Sequence, residues 1–323
     1  MLDAYQSRLL MGVLEGSGAL PRDFEALSAE DRESVEEERE DCRALLRGAV
    51  YVGEAQIGSA LSALMGHATA AAAEVAAALS SVGGGGPGSP AASERLALSV
   101  RALEATLHAA SAAAKPLGRS ACAPLDEALP QLLRAAAPAA AALMAAGVGM
   151  GRGLLCALLV WIGSLSAWLA PPERADAVAC VLPLVTESLT VSEAEPRGVW
   201  ALRSKQEHAG CVALMKICAA APAAVLRALP LPRLLDTLHA AAARPTGALT
   251  GLSARSTSLI LTAMVDLVRH ASRDPSTAAP QLALALLRPP LAALCAASAD
   301  GAAGDGSIPP ADAVRDRARA ALR

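Results

Sequence analysis

The residues of this chain that could bind a metal ion or catalyse a reaction are few and scattered. The most suggestive set is His208, Cys211 and Cys218, which the helical period places on one face of a single helix. Imidazole and thiolate are ligands that Zn²⁺ prefers, but a structural zinc site needs four ligands, and no second pair is near in the sequence. We therefore expect these cysteines to pack in a helical core. The five histidines lie in separate segments, at His67, His108, His208, His239 and His270.

Two glycine-rich segments invite comparison with nucleotide-binding loops. The stretch Gly83–Pro90 reads GGGGPGSP, and no Gly-Lys-Ser/Thr triplet follows it. Alternate glycines run from Gly147 to Gly153, but Arg152 stands where a dinucleotide-binding motif needs its third glycine, and no strand precedes it. The first segment therefore predicts a flexible loop over residues 83–92, and the second predicts a loosened turn between helices.

The sequence contains none of the short motifs that mark common catalytic centres. There is no GxSxG or HExxH motif, and no cysteine–histidine–aspartate set has usable context. We predict no catalytic, cofactor-binding or metal-binding residues, no cofactor, and a protein that is not an enzyme.

Composition narrows the class of protein further. Hydrophobic residues make up 54% of the chain but aromatic residues only 2%, so the core must consist of alanine, leucine and valine. The net charge of −3 argues against a general nucleic-acid binder, which usually carries a basic surface. The seven cysteines are scattered, and no signal peptide follows Met1, so we expect free thiols in a reducing compartment.

Long apolar helices recur along the second half of the chain. They begin near Gly153, Arg203 and Leu252, at intervals of about 50 residues, close to the unit length of helical repeats. A helical hairpin of this kind cannot bury its own apolar face and needs neighbours on both sides. The pattern predicts an all-α fold, a right-handed α-solenoid of HEAT/armadillo-like helical hairpins. Each helix is followed by proline, at Pro171–Pro172, Pro222 and Pro275.

The predicted domain organisation is one solenoid over residues 1–297, followed by residues 298–323 as a linker and the start of a further helix. We expect a short helix over residues 2–15, and a helix over residues 55–82 that pairs in one hairpin with the helix before it. Residues 125–144 predict two helical pieces divided by Pro138.

Later helices are predicted as partners of the repeated ones. Residues 173–190 predict a helix whose apolar side carries valine and leucine from Val178 to Leu189. We expect Pro222 to stop the helix Arg203–Cys218, and residues 231–240 to form its partner. Pro275 is predicted to start the partner of the third repeated helix.

An acidic helix is predicted near the start of the chain. Ser28 is a suitable N-cap, and the run Glu30–Asp41 (EDRESVEEERED) places acids in the first turns, where the helix dipole favours them. The helix is then expected to become apolar through Leu45 and Leu46. The acids form either a solvated helix start or a docking surface for a basic partner.

The uncharged run Leu154–Ala170 (LLCALLVWIGSLSAWLA) is the one segment that indicates a membrane-spanning helix as an alternative. Its length lies at the lower limit for crossing a bilayer, about 17 residues. Arg152 on one side and Pro171–Pro172 on the other prevent its extension, and serines interrupt it. We expect a buried helix of a central repeat, which neighbours cover on both flanks.

Three passages resemble the importin-β superfamily of nuclear transport carriers, nearest the transportin-SR and importin-thirteen branch. They are the charged helix Glu36–Gly53, the hairpin Leu158–Leu189, and the helix Gln206–Pro222 (QEHAGCVALMKICAAAP), which is followed by GLSARSTSLILTAMVDLVRH. The resemblance implies a central to C-terminal piece of a longer carrier, whose complete Ran-binding repeats are not included. No cargo-binding residue of that family maps onto a position here.

The resemblance implies a non-enzymatic carrier that binds cargo proteins on the concave face of a solenoid in nucleocytoplasmic import. The expected partners are cargo proteins and, in a full-length form, the small GTPase Ran, with neither nucleic acid nor membrane. The expected location is the cytoplasm and the nucleus. The alternatives are a generic HEAT-repeat scaffold and a membrane-anchored protein.

Overall fold

The computed structural model describes residues 27–52, 57–82, 90–117, 123–145, 150–189, 200–229, 254–271 and 273. About 94% of the described chain is helical, and no strand occurs within it, which confirms the all-α class. The helices are α1 Ala29–Val52, α2 Ile57–Val82, α3 Pro90–Leu117, α4 Ala123–Ala145, α5 Met150–Ser164, α6 Ser166–Leu169, α7 Ala175–Glu187, α8 Trp200–Ala220, α9 Pro222–Ala228 and α10 Ala254–Ala271. A 3₁₀ turn, Pro172–Arg174, precedes α7.

The helices contact one another in two rows. In one row, α3 contacts α5, α5 contacts α8, and α8 contacts α10. In the other row, α2 contacts α4, α4 contacts α7, and α7 contacts α9. The two rows also contact each other through pairs of helices that are consecutive in the chain. These pairs are α2 with α3, α4 with α5, α7 with α8, and α9 with α10. The three predicted repeated helices therefore exist as α5, α8 and α10, and they pack against one another in chain order.

Small residues let the rows pack closely. A Cβ on Gly151 would lie 2.7 Å from Leu143 Cβ and 2.8 Å from the Ala140 carbonyl oxygen, so only glycine permits the approach of α5 to α4. A Cβ on Gly163 would lie 3.3 Å from Ala213 Cα, which marks the crossing of α5 with α8. The predicted loosened turn is therefore wrong at Gly151, which lies inside helix α5 at a close contact with α4.

The central uncharged run is buried and interrupted. Helix α5 ends at Ser164, and α6 is a separate four-residue helix after Leu165. Trp161 and Trp168 are fully buried, as a core helix requires. Among the described residues, no single helix is long and apolar enough to span a membrane, and one pair of helices, bent by 109° between Ala220 and Pro222, meets the criteria together by length and composition.

Several predicted elements are confirmed by the structure. Ser28 caps α1, since its hydroxyl oxygen accepts a hydrogen bond from the Asp31 backbone N–H at 3.1 Å. Helix α7 buries the predicted apolar side, and α3 also buries an apolar side. These buried residues are Val178, Val181, Leu182, Val185 and Leu189, and Leu96, Val100, Leu103 and Leu107.

Other predictions about elements are wrong or incomplete. One helix, α4, runs through both Pro130 and Pro138, and Pro138 is exposed, so its missing N–H bond lies toward solvent. The prediction that Pro222 stops the preceding helix is confirmed, since α8 ends at Ala220, but the helix that Pro222 begins, α9, was not predicted. Pro90 likewise begins α3, so residues 90–92 are helical and not part of a loop.

Helix α1 does not form the predicted hairpin with α2. Its main contact is with α3, across one face of the row α3, α5, α8. Leu45, where the helix was expected to become apolar, is 67% exposed. Helix α1 is therefore an addition to the two rows and not a member of either. The predicted elements at residues 2–15, 83–89, 231–240 and 275–323 lie outside the described residues.

Candidate functional site

A groove of about 600 Å³ lies where α1 crosses the row α3, α5, α8. Helix α1 supplies charged side chains to one wall, and α5 supplies small and apolar residues to the floor. The opposite wall is α8, with Lys205, His208, Val212 and Lys216. The groove therefore combines an apolar floor with charged edges, an arrangement suited to an amphipathic partner.

A buried ion pair joins α1 to α3 inside this groove. Arg39 Nη2 donates a hydrogen bond to Glu104 Oε1 at 2.5 Å, and the two side chains are 8% and 9% exposed. Burial raises the pKa of the Glu104 carboxyl above its ordinary value, while the charge and the hydrogen bond of Arg39 oppose that shift. The pair connects residues that are 65 positions apart in the chain.

His108 lies one helical turn after Glu104 and lines the same groove. Burial, together with the nearby charges of Arg39 and Arg43, lowers the pKa of His108 to about 3. The imidazole is therefore neutral near pH 7. It also interacts with the backbone of Arg39, while its Nε2 atom has no hydrogen-bond partner.

Polar atoms without partners concentrate at this contact. Four of the six unpartnered buried polar side-chain atoms in the described part of the chain belong to groove-lining residues. The other two are the indole nitrogens of Trp161 and Trp168. Each such atom costs free energy in the folded state, about 1–3 kcal/mol. The four are Arg39 Nε, Arg43 Nε, Glu104 Oε2 and His108 Nε2.

A second ion pair crosses the open edge of the groove. Lys205 of α8 pairs with Glu36 of α1, and the two side chains are 47% and 41% exposed. Since both charges remain in water, this pair contributes little to stability. Glu40 of α1 pairs within its own helix, with Arg43 at 2.9 Å and Arg47 at 2.6 Å.

The floor of the groove contains one thiol. Burial, together with the nearby Glu104 carboxylate, raises the pKa of Cys156 to about 11. The thiol therefore stays protonated near neutral pH, and it has the character of a packing residue, not of a nucleophile.

The structure separates the three residues considered for zinc. Cys211 and Cys218 are fully buried in the hydrophobic core, where burial raises the pKa of each thiol to about 12. His208 instead lines the groove, and burial, with the charge of Arg255, lowers its pKa. Among the described residues, no group of three or more histidine, cysteine or acidic side chains is placed to hold a metal ion.

Sequence reasoning missed the residues that meet in the groove. Glu104 is the one charged residue between Arg101 and Lys115, in an otherwise apolar stretch of α3, and His108 follows it at the i+4 position. A lone acid in an apolar helix indicates a buried ion pair, because an unpaired buried charge is too costly. That signal was available, but nothing in the sequence indicates that Arg39 is its partner.

Comparison with known proteins adds no assignment. No protein-family model matches the chain, and no curated protein or solved structure matches it.

Proposed function

We propose that this chain is a non-enzymatic carrier or scaffold, a right-handed HEAT-like solenoid that binds a partner protein on its concave face. The observation that carries the proposal is the two-row packing, in which α3, α5, α8 and α10 stack in chain order against α2, α4, α7 and α9. Stacked helical pairs present an extended surface, which is how repeat proteins bind other proteins.

The groove at α1 supports binding of a protein segment. Its apolar floor and charged edges can pair with an amphipathic helix, whose polar side meets Lys205 and Lys216. Charged groups at such edges choose among partners more than they add affinity. The pKa values of Cys156 and His108 keep both side chains uncharged near pH 7.

The resemblance to importin-β carriers makes transport of cargo proteins between cytoplasm and nucleus the proposed role. The partners are then cargo proteins and, for a longer form, Ran. Two measurements test the proposal, one of shape and one of transport.

Small-angle scattering of the full chain tests the solenoid. We expect an elongated particle, and a compact sphere would contradict the stacking of repeats. Transport is tested in permeabilised cells, with the chain fused to a protein too large to diffuse through nuclear pores. A carrier accumulates in nuclei, whereas the fusion partner alone stays outside.

A generic HEAT-repeat scaffold is the second candidate, because the same packing serves it equally well. An elongated particle that stays outside nuclei would favour the scaffold over the carrier. Ran-GTP binding separates the two candidates only when it is measured on a longer form.

A further inference from the structure

We propose that the face formed by α3, α5 and α8 recognises a helix that carries a glutamate and, three residues later, an arginine, and that α1 occupies this face as a displaceable internal ligand. This proposal rests on the proposed function, since it names the kind of segment that the partner protein presents. In α1, this glutamate and arginine are Glu36 and Arg39, which form ion pairs with the face.

The contact of α1 with the rows is polar over its described length. None of its described apolar side chains, among residues 29–45, 47 and 48, belongs to the hydrophobic core or packs against it, and its buried side chain is that of Arg39. The core instead begins with Leu64 of α2 and continues through every later helix of the described chain except the short turn before α7. A helix in a permanent position normally contributes an apolar face, because burial of apolar area is the main source of stability.

Two ion pairs define what the face recognises. Glu104 on α3 receives Arg39, and Lys205 on α8 receives Glu36. The two receiving charges have opposite signs and belong to different helices, so they fix both the position and the direction of the bound helix. A helix with the two residues in the reverse order would place like charges together.

The contact of α1 with this face leaves several buried polar atoms without hydrogen-bond partners. Arg39 Nε, Arg43 Nε, Glu104 Oε2 and His108 Nε2 are buried without hydrogen-bond partners, and about 600 Å³ of the groove remains unfilled beside them. A partner helix that keeps the glutamate and arginine, and adds an apolar side chain over the floor, would make better contacts than α1 does. Such a helix should therefore compete with α1 for this face.

The probe for the test is a synthetic peptide of residues 28–47, which contains the N-cap Ser28 and most of α1. Calorimetry measures its binding to the full chain with Arg39→Gln, in which the internal helix is released. We expect the peptide to bind this variant about tenfold or more tightly than it binds the unchanged chain, because a charged hydrogen bond no longer holds the competitor.

Matched controls use Arg32, which lies on the same helix but does not line the groove. The Arg32→Gln chain should bind the peptide no better than the unchanged chain. The Arg39→Gln peptide should bind every chain far more weakly than the Arg32→Gln peptide does. Equal binding of the two altered peptides, or no binding to the Arg39→Gln chain, would overturn the proposal.

A second variant covers the case in which Arg39→Gln does not fold. Glu36 is 41% exposed, so Glu36→Gln leaves packing intact and should raise peptide affinity several-fold. Hydrogen exchange gives an independent reading. Exchange in α1 should be faster than in α5. Raising the salt concentration from about 0.1 M to about 1 M shortens the screening length from about 10 Å to about 3 Å, weakens the exposed Glu36–Lys205 pair and should speed exchange in α1 further. Exchange in α1 as slow as in α5 at both salt concentrations would contradict the proposal.

The two proposals fail separately. Peptide binding without nuclear accumulation would keep the helix-binding face and reject the carrier. Nuclear accumulation without peptide binding would keep the carrier and reject this face as its binding surface.

Discussion

The centre of the molecule and the α1 contact are built from different interactions. Around α5, buried leucines, two tryptophans and close glycine contacts pack the rows together. At α1, the described side chains contribute charges, and the hydrogen bonding is incomplete. Apolar packing is strong and insensitive to salt. Of the two ion pairs at α1, the exposed Glu36–Lys205 pair is weak and screened by salt, whereas the buried Arg39–Glu104 pair carries the desolvation cost of two charges. The difference indicates that one contact holds the fold and the other can open.

The largest expected effect on the free energy of unfolding is at the centre of the molecule, around α5. Trp161→Ala removes a fully buried indole and should lower the free energy of unfolding by about 3–5 kcal/mol. The matched change at the other contact is Arg39→Ala, which should lower it clearly less, because α1 leaves and Glu104 regains water; if α1 could not leave, the unpaired buried charge would cost about 3–5 kcal/mol. Urea titrations followed by circular dichroism measure both. Similar losses for the two variants would contradict the comparison.

The close approach of α5 to α4 should tolerate no added methyl group. Gly151→Ala is expected to cost about 1–3 kcal/mol, since the new Cβ would meet backbone atoms of α4 within 3 Å. Gly66→Ala is the control, because nothing lies within 4 Å of its Cβ position in α2, and alanine should stabilise the helix by up to about 1 kcal/mol. Thermal unfolding of both variants should therefore shift in opposite directions.

The α1 contact should be sensitive to acid through His108. Its pKa in the folded protein is lowered to about 3 from an ordinary value of 6.5, so the unfolded chain takes up the proton first as the pH falls. The stabilising contribution is complete above pH 6.5 and is lost as the pH falls toward 3. The raised pKa of Glu104 acts in the opposite direction. A comparison of unfolding against pH for the unchanged chain and His108→Gln isolates the histidine, and identical profiles would refute its role.

The smallest effect concerns thiol chemistry. Cys211 and Cys218 are buried with pKa values raised to about 12, so they should react with a thiol reagent at pH 8 only after unfolding. Cys180 is exposed and should react in the folded state. Mass spectrometry after brief labelling assigns each site. Rapid labelling of Cys218 would show that the centre opens as readily as the α1 contact.

The positions of the helices could be predicted from the sequence better than their packing partners could. Periodic apolar residues such as Val178, Val181 and Val185 identified α7, and the capping hydroxyl identified the start of α1. These signals are local, so a single chain segment contains them. The error at Pro138 arose because a proline on the solvent side of a helix costs less than one in the interior.

The groove could not be predicted for a different reason. Its ion pairs join Arg39 to Glu104 and Glu36 to Lys205, and the second pair spans 169 positions. No periodicity relates such distant residues, and a charged run near the start of a helix suggests a solvated surface as readily as a docked one. The site emerges only when α3, α5 and α8 are packed side by side.

The two indoles of the core have a spectroscopic consequence. Trp161 and Trp168 are shielded from water, and Arg174 covers the ring of Trp168 with its guanidinium carbon 4.4 Å from the ring centre. Their fluorescence should be shifted to the blue and should redden only when the centre of the protein melts. No tryptophan belongs to residues 29–52. Release of that helix would therefore leave these two emitters unchanged, and a dye on the helix would be needed to see it.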